Sequence, residues 1–158
     1  VAAPPSLLDY ATSAGADGSL NLFYNAAGGP GGLNANFNSE TGITMDFLLF
    51  DHAGGLDLPV TVTISDGTNL ATLTNLLTTP GAQTVFFGFA GFAGIGSVDL
   101  SSIDSLNFFF DAQQAHDFRL DFIGTTSQVP EPASLLVWGM AGVVGLMVHR
   151  RSRRRAAA

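Results

Sequence analysis

From Ile43 onward the apolar and polar positions carry dense β-strand signals, clearest as a period of two within residues 60–65. Val60, Val62 and Ile64 alternate with Thr61, Thr63 and Ser65, the pattern of a strand with one buried and one wet face. Asp66-Gly67 follows at once and signals a hairpin turn, with Leu70 to Leu76 as the returning strand. The same criteria predict strands at Ser19 to Tyr24, Ile43 to Phe50, Gln83 to Phe89, Ser105 to Asp111 and Asp117 to Ile123. Ile43 to Phe50 is apolar on both faces. In Asp117 to Ile123, Phe118, Leu120 and Phe122 share one face and Asp117, Arg119 and Asp121 the other.

The punctuation agrees with strands. His52-Ala53-Gly54-Gly55 and Pro80-Gly81 turn the chain, and Asn25 to Asn38 and Gly88 to Gly96 are glycine-rich loops. Residues 1–18 read as a leader or a short edge strand. No stretch of the body sustains a 3.6-residue period. Seven or eight short strands at this spacing predict a mainly β fold, an antiparallel β-sandwich with jelly-roll-like connections, over residues 1–124. Residues 125–129 read as a polar linker.

Beyond the linker the pattern changes abruptly. Val129-Pro130-Glu131-Pro132 comes first. Two prolines one residue apart hold the backbone extended and withhold amide donors. Ala133 to Val148 follows, with Ser134 its single polar residue. As a helix this run spans roughly 24 Å against a bilayer core of about 30 Å. His149 and Arg150 extend it by snorkelling to the interface, so 133–149 is the expected transmembrane helix. Arg150, Arg151, Arg153, Arg154 and Arg155 close the segment as a stop-transfer signal held on the cytoplasmic side.

A Pro-Glu-Pro tripeptide, an apolar helix and an arginine cluster, in that order at a chain end, resemble the PEP-CTERM sorting domain. The resemblance covers residues 130–155. It implies recognition by an exosortase, a membrane-embedded cysteine transpeptidase of Gram-negative bacteria that make exopolysaccharide. It implies a transient inner-membrane anchor, processing near the motif, and release or attachment at the cell surface. Pro130, Glu131 and Pro132 would be the recognition element, and the chain a substrate of that enzyme. Val98 to Ile123 also looks like the closing strands of many PEP-CTERM ectodomains. The opening Val1-Ala2-Ala3-Pro4-Pro5 resembles the surroundings of a signal-peptidase site, so the expectation is an exported protein whose secretory signal has been removed.

Charge sharpens this picture. Of 13 acids and 6 arginines among 158 residues, the first 129 residues carry twelve acids and a single base, Arg119. Such a body repels nucleic acid and anionic membrane surfaces. There is no Cys and no Lys, which excludes disulfides, thiolate ligands, thiol nucleophiles and Schiff bases.

Candidate chemistry is sparse. Asp111, His116, Asp117 and Asp121 form the densest polar cluster, readable as a Ca²⁺ site built on Asp111, Asp117 and Asp121, as a His/Asp hydrolase pair, or as a solvated hairpin loop, the reading preferred. Asp51, His52 and Asp57 flank a Gly-Gly turn, which explains them without a metal. Gly28 to Gly32 lacks the lysine of a phosphate loop, and no serine sits in a nucleophile elbow. Phe86, Phe87, Phe89 and Phe92 would suit a sugar-stacking platform, although core packing is the simpler expectation. Gly139, Gly142 and Gly145 permit close packing within the apolar helix. The expected function is a non-catalytic structural or adhesive protein of the cell envelope or exopolysaccharide matrix. The alternative is an extracellular carbohydrate-binding module, with Ca²⁺ as its one conceivable cofactor.

Overall fold

The computed structural model describes residues 7–13, 16–25, 32–52, 56–112 and 116–127. Eight strands carry the fold: β1 (Leu8–Ala11), β2 (Leu20–Asn25), β3 (Glu40–His52), β4 (Leu58–Ser65), β5 (Leu70–Leu77), β6 (Gln83–Gly88), β7 (Ser105–Phe110) and β8 (His116–Ser127). They form two four-stranded sheets, β1-β8-β3-β6 and β2-β7-β4-β5. Every pairing is antiparallel. All connections except the β4–β5 hairpin pass from one sheet to the other, the arrangement of a jelly roll.

The alternation in β4 works as its sequence predicts. Val60, Val62 and Ile64 are buried while Thr61 and Thr63 face away from the core. Facing them from the other sheet are Phe47, Phe50, Phe87 and Phe118. The rings interlock at the centre: Phe118 stacks on Phe110 at 5.0 Å and on Tyr10 at 5.0 Å, and Phe47 meets both Phe110 and Phe118 edge-on. Offset and edge-to-face pairs of this kind add stability beyond their buried area.

Three irregularities interrupt the β3–β8 pairing, one at Thr41 and two near its middle that reset the faces. Asp46 pairs with Phe122 but Phe47 pairs with Leu120, which leaves Asp121 without an opposite residue. One step on, Leu49 pairs with Arg119 and leaves Leu48 unopposed. Each extra residue inverts which face the following side chains occupy. Phe118 and Leu120 are therefore in the core while Phe122 is turned outward and 51% exposed. The alternation in the sequence places all three on one face, and the bulge at Asp121 is what overturns that.

Other boundaries shift as well. β8 continues through Ser127, with Thr125 opposite Ile43 and Thr126 opposite Gly42. The first three residues of the expected linker are thus strand, since two β-branched threonines fit a ladder as well as a tether. β1 forms an edge strand beside β8. The expected Gly88 to Gly96 loop holds a 3₁₀ turn at Phe89–Gly91 and runs into a second at Ile95–Ser97, with Phe89 and Phe92 buried.

The β4–β5 turn is locked by one carboxylate. Asp66 Oδ1 accepts from the amides of Thr68 (2.9 Å) and Asn69 (2.6 Å), and Oδ2 accepts from Asn69 Nδ2 and from the amide of Asp99 (2.8 Å). These donors, the Asn69 amide foremost, hold the Asp66 pKa far below its ordinary value. Because the native value is depressed, the stabilisation is complete above the unfolded value of about 3.9. It fades as pH falls toward the native one. Asp66→Ala is expected to lower the melting temperature by a constant amount above about pH 5. The gap to the wild type should narrow below pH 4, as thermal melts across the acid range would show.

The sorting motif, the expected transmembrane helix and the arginine cluster lie in residues 128–158, outside the described residues. Among the described residues no helix is long and apolar enough to cross a membrane.

Candidate functional site

The outer face of β6, β3 and β8 carries two half-exposed aromatic rings among hydrogen-bonded polar side chains. Register places Thr44 opposite Phe86 on one side and Gly124 on the other, and Asp46 opposite Thr84 and Phe122. Phe86 is 50% exposed, as open as Phe122. The two phenylalanines flank β3 diagonally, two strand spacings or roughly 10 Å apart across the sheet.

Neither ring stands free. A Cβ placed on Gly42 would lie 2.6 Å from Cε2 of Phe86, and one on Gly88 would lie 3.0 Å from its Cε1. A Cβ on Gly124 would lie 2.6 Å from Cε1 of Phe122. Each ring therefore leans along the sheet and covers a glycine that has no side chain to lift it. This is the covering of strand glycines by aromatic neighbours, which also pins register. The result is two hydrophobic ring faces laid against the sheet.

The polar groups between the rings are held too. Thr84 Oγ1 donates to Asp46 Oδ1 at 2.7 Å. The hydroxyls of Thr44 and Thr126 bond to each other across β3 and β8. Asn75 Nδ2, from the other sheet, donates to the carbonyl of Phe86 at 3.1 Å and fixes the β6 edge. Beside Phe122 opens a groove of about 300 Å³ lined by Leu22, Tyr24, Asp121 and Phe122 among others. Arg119 lies farther along β8, paired with Asp9 of β1. That hydrogen bond raises the arginine's pKa.

The residues singled out from sequence are placed differently. His116 is not in a solvated loop: it is the first residue of β8 and fully buried. Its Nε2 lies 2.9 Å from the Leu56 carbonyl and its ring stacks on Phe50. Its amide donates to Thr12 Oγ1, whose hydroxyl and backbone amide both bond the His116 carbonyl. Burial among these partners makes it a tie between chain segments. Asp117 and Asp121 are exposed on β8, while Asp111 follows β7 in the opposite sheet. Among the described residues no three His, Asp or Glu side chains are grouped to hold a metal ion. Asp51 and Asp57 are exposed near the β3–β4 connection, and His52 ends β3 opposite His116.

Of the four phenylalanines between positions 86 and 92, Phe87, Phe89 and Phe92 are core and Phe86 alone is on the surface face. Sequence alternation missed Phe122 as its partner. A signal was present: Phe86-Phe87-Gly88 and Phe122-Ile123-Gly124 repeat one spacing. It places an aromatic residue and a glycine on the same face of a strand.

No family model and no curated protein matches the chain. Two solved structures align along most of its length. One is a family 11 carbohydrate-binding module from Clostridium thermocellum in complex with a β-1,3-1,4-mixed-linked tetrasaccharide, with 12% identity, a TM-score of 0.46, and coverage of 79% of this chain and 91% of that one. The other is the solution structure of CtCBM11, with 12% identity, a TM-score of 0.45, and coverage of 78% and 90%.

Proposed function

We propose that this chain is an exported, non-catalytic polysaccharide-binding sandwich. Its outer β6-β3-β8 face docks a glycan chain, and its C-terminal segment delivers it to the cell surface as an exosortase substrate. The observation that carries the binding role is the pair of half-exposed rings, Phe86 and Phe122, each laid over glycine on one sheet face. A pyranose ring presents an apolar C–H face and a rim of hydroxyls. Flat aromatic faces match the first, and the tethered Thr44, Asp46, Thr84 and Thr126 between them match the second. Because the rings are pinned, little side-chain freedom is lost on binding. The envelope or matrix role expected from the sequence is retained: a protein that grips polysaccharide is an adhesive component of such a matrix.

The test is affinity electrophoresis and calorimetry with the exopolysaccharide of the producing strain and a panel of neutral soluble glucans. Phe86→Ala and Phe122→Ala should each weaken binding about tenfold, as loss of a central aromatic contact of about 1.4 kcal/mol does. Gly124→Ala should weaken it similarly while leaving both rings in the sequence, because the added methyl displaces Phe122. Unchanged binding in the Phe86/Phe122 double variant would dismiss this face as the glycan site.

A further inference from the structure

The two sheets differ in a way that the polysaccharide platform does not explain. β2, β7, β4 and β5 contain no Asp, Glu, Lys, Arg or His at all. The other sheet carries Asp9, Glu40, Asp46, Asp51, Asp117 and Asp121 together with Arg119. The outer face of the uncharged sheet is also rich in apolar side chains. Phe23 is 60% exposed, Phe109 37%, Leu76 56% and Leu70 64%. Register sets Phe109 between Asn21 and Thr61, and Asn107 between Phe23 and Thr63. Thr61 and Thr63 continue the array into Thr74 and Thr72 of β5. Exposed sheets are ordinarily kept soluble and solitary by charge. Here that device is missing from the strands of one sheet.

We propose that this face binds a second copy of the chain, making a two-fold dimer with the β2-β7-β4-β5 sheets face to face. Charge selects that occupant. With twelve acids and one base in the body, two copies that meet through any charged surface repel. Across the faces of the uncharged strands no carboxylates are opposed, the acids of the other sheet point away from the seam, and Asp57, Asp66, Asp104 and Asp111 stand at the strand ends, on its rim. A two-fold axis matches the face to itself, so apolar and hydroxyl rows need only self-complementarity. Four strands of up to eight residues cover roughly 500 Å² in projection. A stable interface buries roughly 800 Å² of accessible surface per partner, so the seam uses the whole of this face.

The dimer carries a consequence that rests on the proposed polysaccharide face, although self-association itself does not. Burying one sheet of each copy leaves the two Phe86/Phe122 platforms on opposite outer sides. The pair is then bivalent and joins two glycan chains, which turns a binder into a crosslinker of the matrix.

Sedimentation velocity on the mature protein released by its host, from about 1 to 100 μM, tests the proposal. The wild type should be dimeric, and more firmly so as salt is raised, because the remaining repulsion between acidic bodies is screened. Thr61→Asp places like charges across the seam and should weaken the dimer about 100-fold. Thr61→Lys should do the same alone. An equimolar mixture of the two variants should restore a mixed dimer, which also shows that both are folded. Phe86→Ala with Phe122→Ala should abolish glycan binding and leave the dimer intact. A wild type that stays monomeric at 100 μM overturns the proposal. So does a monomer whose glycan binding is lost in Thr61→Asp, since the face would then belong to polysaccharide.

Discussion

Phe110→Ala is expected to remove about 3–5 kcal/mol of stability, the usual cost of deleting a buried ring. That is a large share of the roughly 5–15 kcal/mol that a domain possesses. The melting temperature should fall by roughly 10–20 °C for a domain of this size. The reason is position. Phe110 is fully buried on β7 and stacks at 5.0 Å on Phe118 of β8, which itself stacks on Tyr10 of β1 and meets Phe47 of β3. One ring thus joins a central strand of one sheet to β8 and β3 of the other, and through Phe118 to β1. Phe110→Leu keeps most of the volume and should cost less than half as much. Calorimetric melts of both variants decide the matter. If Phe110→Ala melts with the wild type, the two sheets do not share this core.

That central core was legible in the sequence because period-2 alternation reports burial directly. Val60, Val62 and Ile64 announced the inner face of β4, and Asp66-Gly67 announced the turn that returns β5. The order in which strands cross between sheets was not legible. Pairings such as β1 with β8 join residues more than a hundred positions apart, and no local pattern encodes such distant partners. The site was lost for a different reason. Alternation carries a face assignment only as far as the next bulge, and Asp121 adds one residue between Leu120 and Phe122. The apolar residue that follows looks like core and is surface. His116 misled in the opposite direction: a histidine between an alanine and an aspartate suggests solvent, yet carbonyl, hydroxyl and ring partners satisfy it inside.

Replacing Pro130, Glu131 and Pro132 together by alanine is expected to abolish sorting while leaving the sandwich unchanged. β8 ends at Ser127, and the motif begins at Pro130, after two intervening residues. Its function under the proposed export route is to present an extended peptide that no helix or sheet can absorb, because prolines at both ends withhold amide donors and disfavour helix before them. Alanine reverses both properties. Under that route the alanines favour helix across positions 130–132, since alanine is the best helix former. The processing enzyme would meet a helix in place of an open strand. In a host with an exosortase, the wild type should leave the inner membrane with a shortened C-terminus. The triple variant should stay there at full mass, held by the apolar run and by Arg150, Arg151, Arg153, Arg154 and Arg155, which resist crossing. Glycan binding by the detergent-extracted variant should match the wild type. Fractionation with intact-mass measurement reads all of this. Release of the triple variant at the wild-type rate and mass would show that the Pro-Glu-Pro element directs nothing.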